Sequence, residues 1–205
     1  MAVLFLTNNL EIAHPLVGWL KEQGERVVVF QDKLTEEAVK KIAPNFVISY
    51  NYRHIIKERV LKLLPQKGAV NLHISLLPWN RGAHPNLWSF LEDTPKGVTI
   101  HLIDKGLDTG PILLQREVYI DEEKHTLESS YLLLHKELQE LFRNNWHLLK
   151  EGKIEPQPQR GKGSFHSVRD FERIKHLLEP YGWKIPIKVL KERWKNFKEN
   201  LKPSL

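Results

Sequence analysis

The chain has 205 residues, of which 41% are hydrophobic and 27% charged, as expected for one globular α/β domain. It contains no cysteine, which excludes disulfides and any site that needs a thiolate. The net charge of +6 favours anionic partners, either phosphorylated small molecules or nucleic acid. No apolar run approaches the ~18 residues that span a bilayer. The N-terminus is predicted as a strand and not a signal peptide, so we expect a cytoplasmic protein without membrane contact.

Apolar runs alternate with amphipathic segments through the first half of the chain. Strands are predicted at Ala2–Leu6 and over ERVVVF, FVISY and GAVNLHIS. Helices are predicted from about Ile12 to Gln23 and over LTEEAVKKI and IIKERVLKLL. Fully apolar strands suit a parallel sheet that is covered by helices on both faces. We therefore predict an α/β, Rossmann-like, doubly wound and mostly parallel sheet.

The pattern changes after the fourth strand. The loop SLLPWNRGAHP precedes a short helix, and GVTIHLID and GPILLQREVYI are predicted as antiparallel strands joined by the turn KGLDT. From Leu127 to Leu149 apolar residues recur at helical spacing, with Thr126 as the expected N-cap. We assign residues 1–155 to the main domain and 156–205 to a short C-terminal appendage of helices and loops.

The turn after the first strand reads TNNLE. It lacks the G-x-G-x-x-G of dinucleotide-binding domains. A phosphate can still bind the unpaired N–H groups at the amino end of the following helix. Asn8 and Asn9 are therefore candidate substrate contacts, and a simple turn with a helix cap is an equal alternative.

Two polar side chains interrupt the fourth strand. Asn71 and His73 share one face because side chains alternate along a strand. Polar groups at the carboxyl end of a buried strand reduce the free energy of unfolding unless they form hydrogen bonds or take part in a functional site. Asp108 lies in the turn GLDTGP, a composition that many ordinary turns also have. An amide and an imidazole can donate hydrogen bonds to an oxyanion, and a carboxylate can accept a proton directly or through water, so the three suit acyl transfer to an amine.

NLHISLLPWNRG and KGVTIHLIDKGLDTGPILLQ resemble the folate-dependent formyltransferases, from about Val3 to Lys150. The resemblance implies an N-formyltransferase that uses 10-formyltetrahydrofolate as co-substrate and no metal. It makes Asn71, His73 and Asp108 the catalytic residues. Asn71 and His73 would stabilise the oxyanion formed when an amine attacks the formyl carbon. Asp108 would keep His73 charged and assist removal of the amine proton through water.

The resemblance also implies a pterin pocket on the loop SYNYRHII, with a second wall at the turn after GVTIHL. The residues expected to bind the co-substrate are Tyr52, Arg53, His54, Ile55, Ile103 and Asp104. The Leu77–Pro78 bond matches one that can be cis in the S-L-L-P loop of the family.

Three acceptors remain open within the family. WNRGAHP resembles the methionyl-tRNA formyltransferases, but those carry a C-terminal β-barrel, whereas the roughly 50 residues after Glu155 are predicted as helix and loop. The glycinamide ribonucleotide formyltransferases have a glycine-rich first loop where this chain has TNN. The nucleotide-sugar N-formyltransferases are similar in SYNYRHIIK and in GSFHSVRDFERIK. We therefore favour an aminodeoxysugar linked to a nucleotide, of the dTDP-amino-dideoxyhexose type, with Arg81 as a substrate contact.

This choice implies a role in O-antigen and lipopolysaccharide biosynthesis and a homodimer, with tRNA as the alternative partner. Trp88 is expected in the core rather than against a base. A folate- or nucleotide-binding regulatory protein on the same scaffold is the non-enzymatic alternative. The presence of all three catalytic side chains argues against it.

Overall fold

The computed structural model describes residues 1–200. Its strands are β1 (Ala2–Leu6), β2 (Arg26–Phe30), β3 (Phe46–Tyr50), β4 (Ala69–His73), β5 (Arg81–Gly82), β6 (Gly97–Leu102), β7 (Ile112–Glu117) and β8 (Phe165–His166). Its α-helices are α1 (Leu10–Glu22), α2 (Glu36–Ile42), α3 (Glu58–Leu61), α4 (Pro85–Leu91), α5 (Leu127–Lys150), α6 (Val168–Ile174) and α7 (Ile187–Asn200). Two short 3-10 helices, Lys175–Leu178 and Gly182–Lys184, lie between the last two.

Six strands form one sheet in the order β2-β1-β3-β4-β6-β7. β1 pairs in parallel with β2 and β3, and β3 with β4. β6 runs antiparallel to β4. The backbone bonds from Leu102 to Pro111 and from Val118 to Lys96 give the neighbouring β6 and β7 the antiparallel register that the sequence predicts. The predicted α/β class with a mostly parallel sheet is confirmed.

The described chain divides into two compact units. Unit 1 comprises residues 1–73, 99–115 and 138–160, and unit 2 comprises residues 74–98, 116–137 and 161 onwards. Residues 156–160 therefore pack with unit 1. The domain boundary that the sequence suggests between residues 155 and 156 stays a prediction.

Helices cover both faces of the sheet in unit 1. β1 and β3 are buried at every position. On one face Leu4 and Val47 pack in a buried cluster with Val39 of α2. On the other face Phe46 contacts Trp146 of α5, with ring centroids 5.0 Å apart. This two-sided burial is what the fully apolar strands predict.

Helix α5 is the core helix that its apolar spacing predicts. The Thr126 hydroxyl oxygen accepts a hydrogen bond from the Ser129 N–H over 3.1 Å, which confirms the expected cap. The buried members of its apolar stripe are Leu127, Leu134, Leu138, Leu141, Phe142, Trp146 and Leu149. In unit 2, Trp88 is also buried, as expected, and stacks on His166 with ring centroids 3.9 Å apart.

Helix α3 is much shorter than its sequence pattern indicates. IIKERVLKLL predicts a full helix, but only Glu58–Leu61 is helical. No side chain caps its amino end, and Ile55 is exposed. One turn is enough to bury Val60 and Leu64 in the cluster that contains Leu4. Short helices depend on packing for stability, and this single turn already brings both residues into the cluster.

No helix within residues 1–200 is both long and apolar enough to cross a membrane.

Glu25 carries a buried charge just before β2. Its carboxylate oxygens lie 2.6 Å from the Met1 amino group and 3.3 Å from Lys150 Nζ. Burial by itself would raise the pKa of this carboxyl, but hydrogen bonds from the amino group and from Lys150 outweigh it. They hold the pKa of Glu25 below its ordinary value of 4.5. A depressed carboxyl pKa contributes stability above the unfolded-state pKa, and that stability is lost as the pH falls through the folded-state pKa.

We expect Glu25→Gln to lower Tm at pH 7 by roughly 2–8 °C, because it removes the buried carboxylate that pairs with two partly exposed cations. The variant should also lose less stability than the wild type as the pH falls below about 4.5. Thermal melts at a series of pH values measure both effects. Glu22→Gln on the exposed surface of α1 is the control. An identical pH dependence in Glu25→Gln and the wild type would contradict the prediction.

Candidate functional site

The three side chains predicted to be catalytic meet in unit 1. Asn71 and His73 lie in β4, and Asp108 lies in the turn between β6 and β7. The Asn71 amide Nδ2 donates a hydrogen bond to Asp108 Oδ1 over 3.1 Å. His73 Nδ1 is 3.7 Å from Asp108 Oδ2, and both side chains are 9% exposed. The structure thus brings Asn71, His73 and Asp108 together, and their catalytic role stays a prediction.

His101 belongs to the same group, and sequence reasoning missed it. The antiparallel register places His101 directly opposite Asn71, with its Nε2 3.1 Å from the Asn71 amide nitrogen. Its Nδ1 is 2.8 Å from the carbonyl oxygen of Leu102. A carbonyl oxygen only accepts, so Nδ1 carries the proton, and we assign Nε2 as the acceptor from the Asn71 amide. His101 is a polar residue within the mostly apolar strand segment TIHL, and an interruption of the same kind identified His73 as a candidate site residue.

Both hydrogens of the Asn71 amide are therefore engaged, one with Asp108 and one with His101. A reversed amide would direct its oxygen towards a carboxylate oxygen, which electrostatic repulsion disfavours. The Asp108 carboxylate also lies 3.6 Å from His101 Nε2. The Asp108 carboxylate is almost fully buried, and the hydrogen bond from the Asn71 amide replaces part of its lost hydration.

The turn at residues 104–110 holds Asp108 in an uncommon conformation. Its φ of 55° is in the left-handed region, which is costly for a residue other than glycine. The Asp104 carboxylate accepts a hydrogen bond from the Thr109 hydroxyl over 2.8 Å and braces the turn from inside. At Gly110 a Cβ would lie 1.8 Å from a carbonyl oxygen of β6, so only glycine fits there. The composition of this turn does not by itself indicate a site, but the backbone geometry requires the glycine at position 110.

The predicted pterin loop follows β3 in unit 1. The Tyr52 hydroxyl donates to the Asp32 carbonyl and accepts from the Leu34 N–H over 2.9 Å, and burial is the main cause that raises its pKa. Tyr52 and Ile103 pack against the same buried cluster. Binding of the co-substrate by either residue stays a prediction.

The other predicted loop residues lie nearer the surface. Arg53 and Ile55 are exposed, and His54 Nε2 is 3.1 Å from the Gln31 carbonyl oxygen. Asn51, which the sequence reasoning did not select, has a φ of 53° and a buried amide nitrogen without a hydrogen-bond partner among residues 1–200. A buried donor left unsatisfied in this way is rare, and a polar ligand at this loop would satisfy it.

Asn8 and Asn9 have structural contacts. The Asn8 amide donates to the Gln31 carbonyl over 2.8 Å and accepts from the Arg53 N–H over 3.0 Å, which ties two loops together. The Asn9 side chain accepts from the Ile12 N–H and caps α1. The helix-cap alternative therefore describes Asn9, and a substrate contact by either residue stays a prediction.

Unit 2 contains the S-L-L-P loop. The Leu77–Pro78 bond is cis, as the family resemblance suggests. Arg81 lies in β5, which pairs in parallel with β8, and its N–H donates to the Ser164 carbonyl over 3.0 Å. Its role as a substrate contact stays a prediction. Within residues 1–200, no cluster of three His, Asp or Glu side chains could hold a metal ion.

The formyl transferase family model matches residues 11–144 of the chain. The crystal structure of the formyltransferase PseJ from Anoxybacillus kamchatkensis, in complex with UDP-4,6-dideoxy-4-formamido-L-AltNAc and tetrahydrofolate, is 43% identical. Its TM-score is 0.83, and the match covers 93% of this chain and 97% of that one. A sugar N-formyltransferase from Shewanella is 21% identical with a TM-score of 0.76 over 95% of this chain and 87% of its own, which shows the same fold.

Curated relatives include a methionyl-tRNA formyltransferase from Pelobacter propionicus. It is 39% identical over 128 residues, which are 60% of this chain and 38% of the relative. The chain spans less than half the length of the methionyl-tRNA formyltransferases that it matches.

Proposed function

The chain belongs to the formyl transferase family, and on that premise we propose that it transfers a formyl group from 10-formyltetrahydrofolate to the amine of a nucleotide-linked amino sugar. The observation that carries this proposal is the contact of Asn71, His73 and Asp108, which places an amide, an imidazole and a carboxylate around one point. The nearly complete match to a 43% identical protein, whose structure contains a formamido sugar nucleotide, supports the acceptor class.

When bound, the donor supplies an electrophilic formyl carbon. His73 donates a hydrogen bond to the oxygen that becomes anionic as the amine attacks. Asp108, 3.7 Å from the ring, stabilises positive charge on His73 and receives the amine proton through water. The bond between the formyl carbon and the donor nitrogen would then break, and that nitrogen would take up the proton as tetrahydrofolate leaves. Both Asn71 amide hydrogens are engaged in this structure. We propose that Asn71 aligns Asp108 and His101 before the substrates bind and exchanges one of these bonds for the oxyanion, as catalytic hydrogen bonds often rearrange on binding.

We assign the formyl donor to the loop after β3. The buried, unsatisfied amide of Asn51 and the packing of Tyr52 and Ile103 on one cluster support this position. The Tyr52 hydroxyl is engaged with Asp32 and Leu34, so we assign the contact with the donor to its ring. Arg53, His54, Ile55 and Asp104 complete the proposed wall.

The nucleotide is the finer part of the proposal. Sequence resemblance suggested a dTDP sugar, whereas the 43% identical protein was crystallised with a UDP-linked 4-formamido sugar. We therefore place a UDP-linked 4-amino-4,6-dideoxy sugar ahead of its dTDP counterpart, with Asn8, Asn9 and Arg81 as candidate contacts. The homodimer and the role in surface glycans, including lipopolysaccharide O-antigen, stay predictions. Methionyl-tRNA is the second candidate acceptor, since the methionyl-tRNA relative is 39% identical over 128 residues.

The purified protein is tested with 10-formyltetrahydrofolate and three acceptors: the UDP-linked amino sugar, the dTDP-linked amino sugar and charged initiator tRNA. We expect release of tetrahydrofolate with the UDP sugar, a lower rate with the dTDP sugar, and none with tRNA, with the formylated product identified by mass spectrometry. Formylation of tRNA without activity on either sugar would overturn the acceptor. Tight folate binding without transfer to any acceptor would favour the regulatory alternative.

A further inference from the structure

The chain that follows α5 returns to the turn that carries Asp108. Gln157 exchanges two backbone hydrogen bonds with Ile112, of 2.7 and 2.8 Å. Two residues later, the side-chain amide nitrogen of Gln159 donates to the carbonyl oxygens of Asp108 and Gly110, over 2.8 and 2.9 Å. All of these residues belong to unit 1. Four hydrogen bonds thus fasten the segment 157–159 to the turn and to the start of β7.

The two side-chain bonds act on the backbone of Asp108 itself. An amide nitrogen carries two hydrogens, so Gln159 serves both carbonyl oxygens with one group. Asp108 has a φ of 55°, a conformation that is uncommon for residues other than glycine, although aspartate adopts it more readily than most. A change of this φ would move the carbonyl group held by Gln159 and the carboxylate that contacts Asn71 and His73 together, because both are attached to the same Cα.

We propose that Gln159 is a positioning residue for formyl transfer: it keeps the Asp108 backbone in the left-handed conformation and thereby holds the carboxylate against Asn71 and His73. This inference rests on the proposed catalytic role of Asp108. Gln159 performs no chemical step in it. A displacement of about 1 Å at a catalytic group can lower a rate roughly 10²-fold, so a backbone restraint of this kind affects turnover.

The test compares three variants of the full chain. Gln159→Met removes both N–H donors at nearly the same side-chain length, and Gln159→Lys keeps donors on a longer side chain. Gln157→Met is the matched control, because the Gln157 side chain is exposed and its bonds to Ile112 use the backbone alone. Steady-state kinetics are measured with 10-formyltetrahydrofolate and the UDP-linked amino sugar, together with thermal melts.

We expect Gln159→Met to lower kcat about 10-fold or more, with both KM values within about 2-fold of the wild type, because only the transition state requires the aligned carboxylate. Gln159→Lys should keep kcat within about 3-fold, and Gln157→Met should match the wild type. An unchanged kcat in Gln159→Met, equal losses in the Met and Lys variants, or a rise in KM alone would overturn the inference. So would a Gln159→Met protein that does not fold, since Gln159 would then serve folding.

A wild-type protein that is inactive with every acceptor would reject the proposed function, but it would not test whether Gln159 holds the Asp108 backbone. Crystal structures of the wild type and Gln159→Met then test that effect directly. Loss of the positive φ at Asp108 in the variant supports it, and an unmoved Asp108 overturns it.

Discussion

Replacing His73 with alanine is expected to lower kcat for formyl transfer by at least about 10³-fold while folate binding persists. His73 is the imidazole that the buried Asp108 carboxylate faces at 3.7 Å. Its removal takes away a hydrogen-bond donor to the developing oxyanion and also the ring that carries charge during the reaction. Each loss alone typically costs about 10²–10³-fold in rate. The effect falls on kcat because the oxyanion that His73 stabilises forms only as the amine attacks.

His147→Ala is the matched control for this experiment, since His147 is an exposed histidine on α5. Tetrahydrofolate release gives the rate, and equilibrium titration with folate gives the Kd. A His73→Ala enzyme with the wild-type rate would remove His73 from the mechanism. A variant that lost folate binding and kept its kcat would instead place His73 in the binding site.

Asp108→Asn is expected to reduce kcat by about 10³–10⁴-fold, with KM for the formyl donor nearly unchanged. The substitution preserves size but removes the negative charge that stabilises positive charge on His73. The new amide oxygen can still accept from Asn71 Nδ2, but the NH₂ group then replaces the carboxylate oxygen that lies 3.7 Å from His73 Nδ1. The chemical step therefore loses both its proton acceptor and the acceptor beside the imidazole.

Asp121→Asn provides the comparison, because Asp121 pairs with Lys124 in a surface turn of unit 2 and has no part in the proposed mechanism. Pre-steady-state mixing separates the chemical step from product release. A loss in Asp108→Asn confined to KM, or one no larger than that of Asp121→Asn, would show that the carboxylate binds substrate or supports the turn without taking part in transfer.

The strands and long helices follow from sequence because burial on both faces leaves a continuous apolar run. Ala2–Leu6 and Phe46–Tyr50 match their predicted bounds for this reason. Helix α3 and the two-residue pairing of β5 with β8 did not follow, because the packing of neighbouring segments decides both. Apolar periodicity does not show which short segment has a partner.

The site was predictable where a single strand or turn carries the signal. The alternation in VNLHIS places Asn71 and His73 on one face, and the turn GLDTGP supplies Asp108. His101 depends on the antiparallel register between β4 and β6, and Gln159 depends on a contact between residues 51 positions apart. Neither contact can be predicted from the spacing of residues within a single strand or turn. The nucleotide base is likewise set by contacts that no motif in this chain specifies.

The short pairing of β5 with β8 limits how proteins of this family can be recombined. Residues 157–159 are attached to the Asp108 turn in unit 1, and residues 164–166 are attached to the S-L-L-P loop in unit 2 through the Arg81 and Ala83 N–H groups. A chimera that grafts a foreign C-terminal module onto this chain keeps both attachments only if the junction falls after His166. Experiments that exchange substrate specificity between family members should therefore transfer the stretch from Gln157 to His166 together with the Asp108 turn and the S-L-L-P loop.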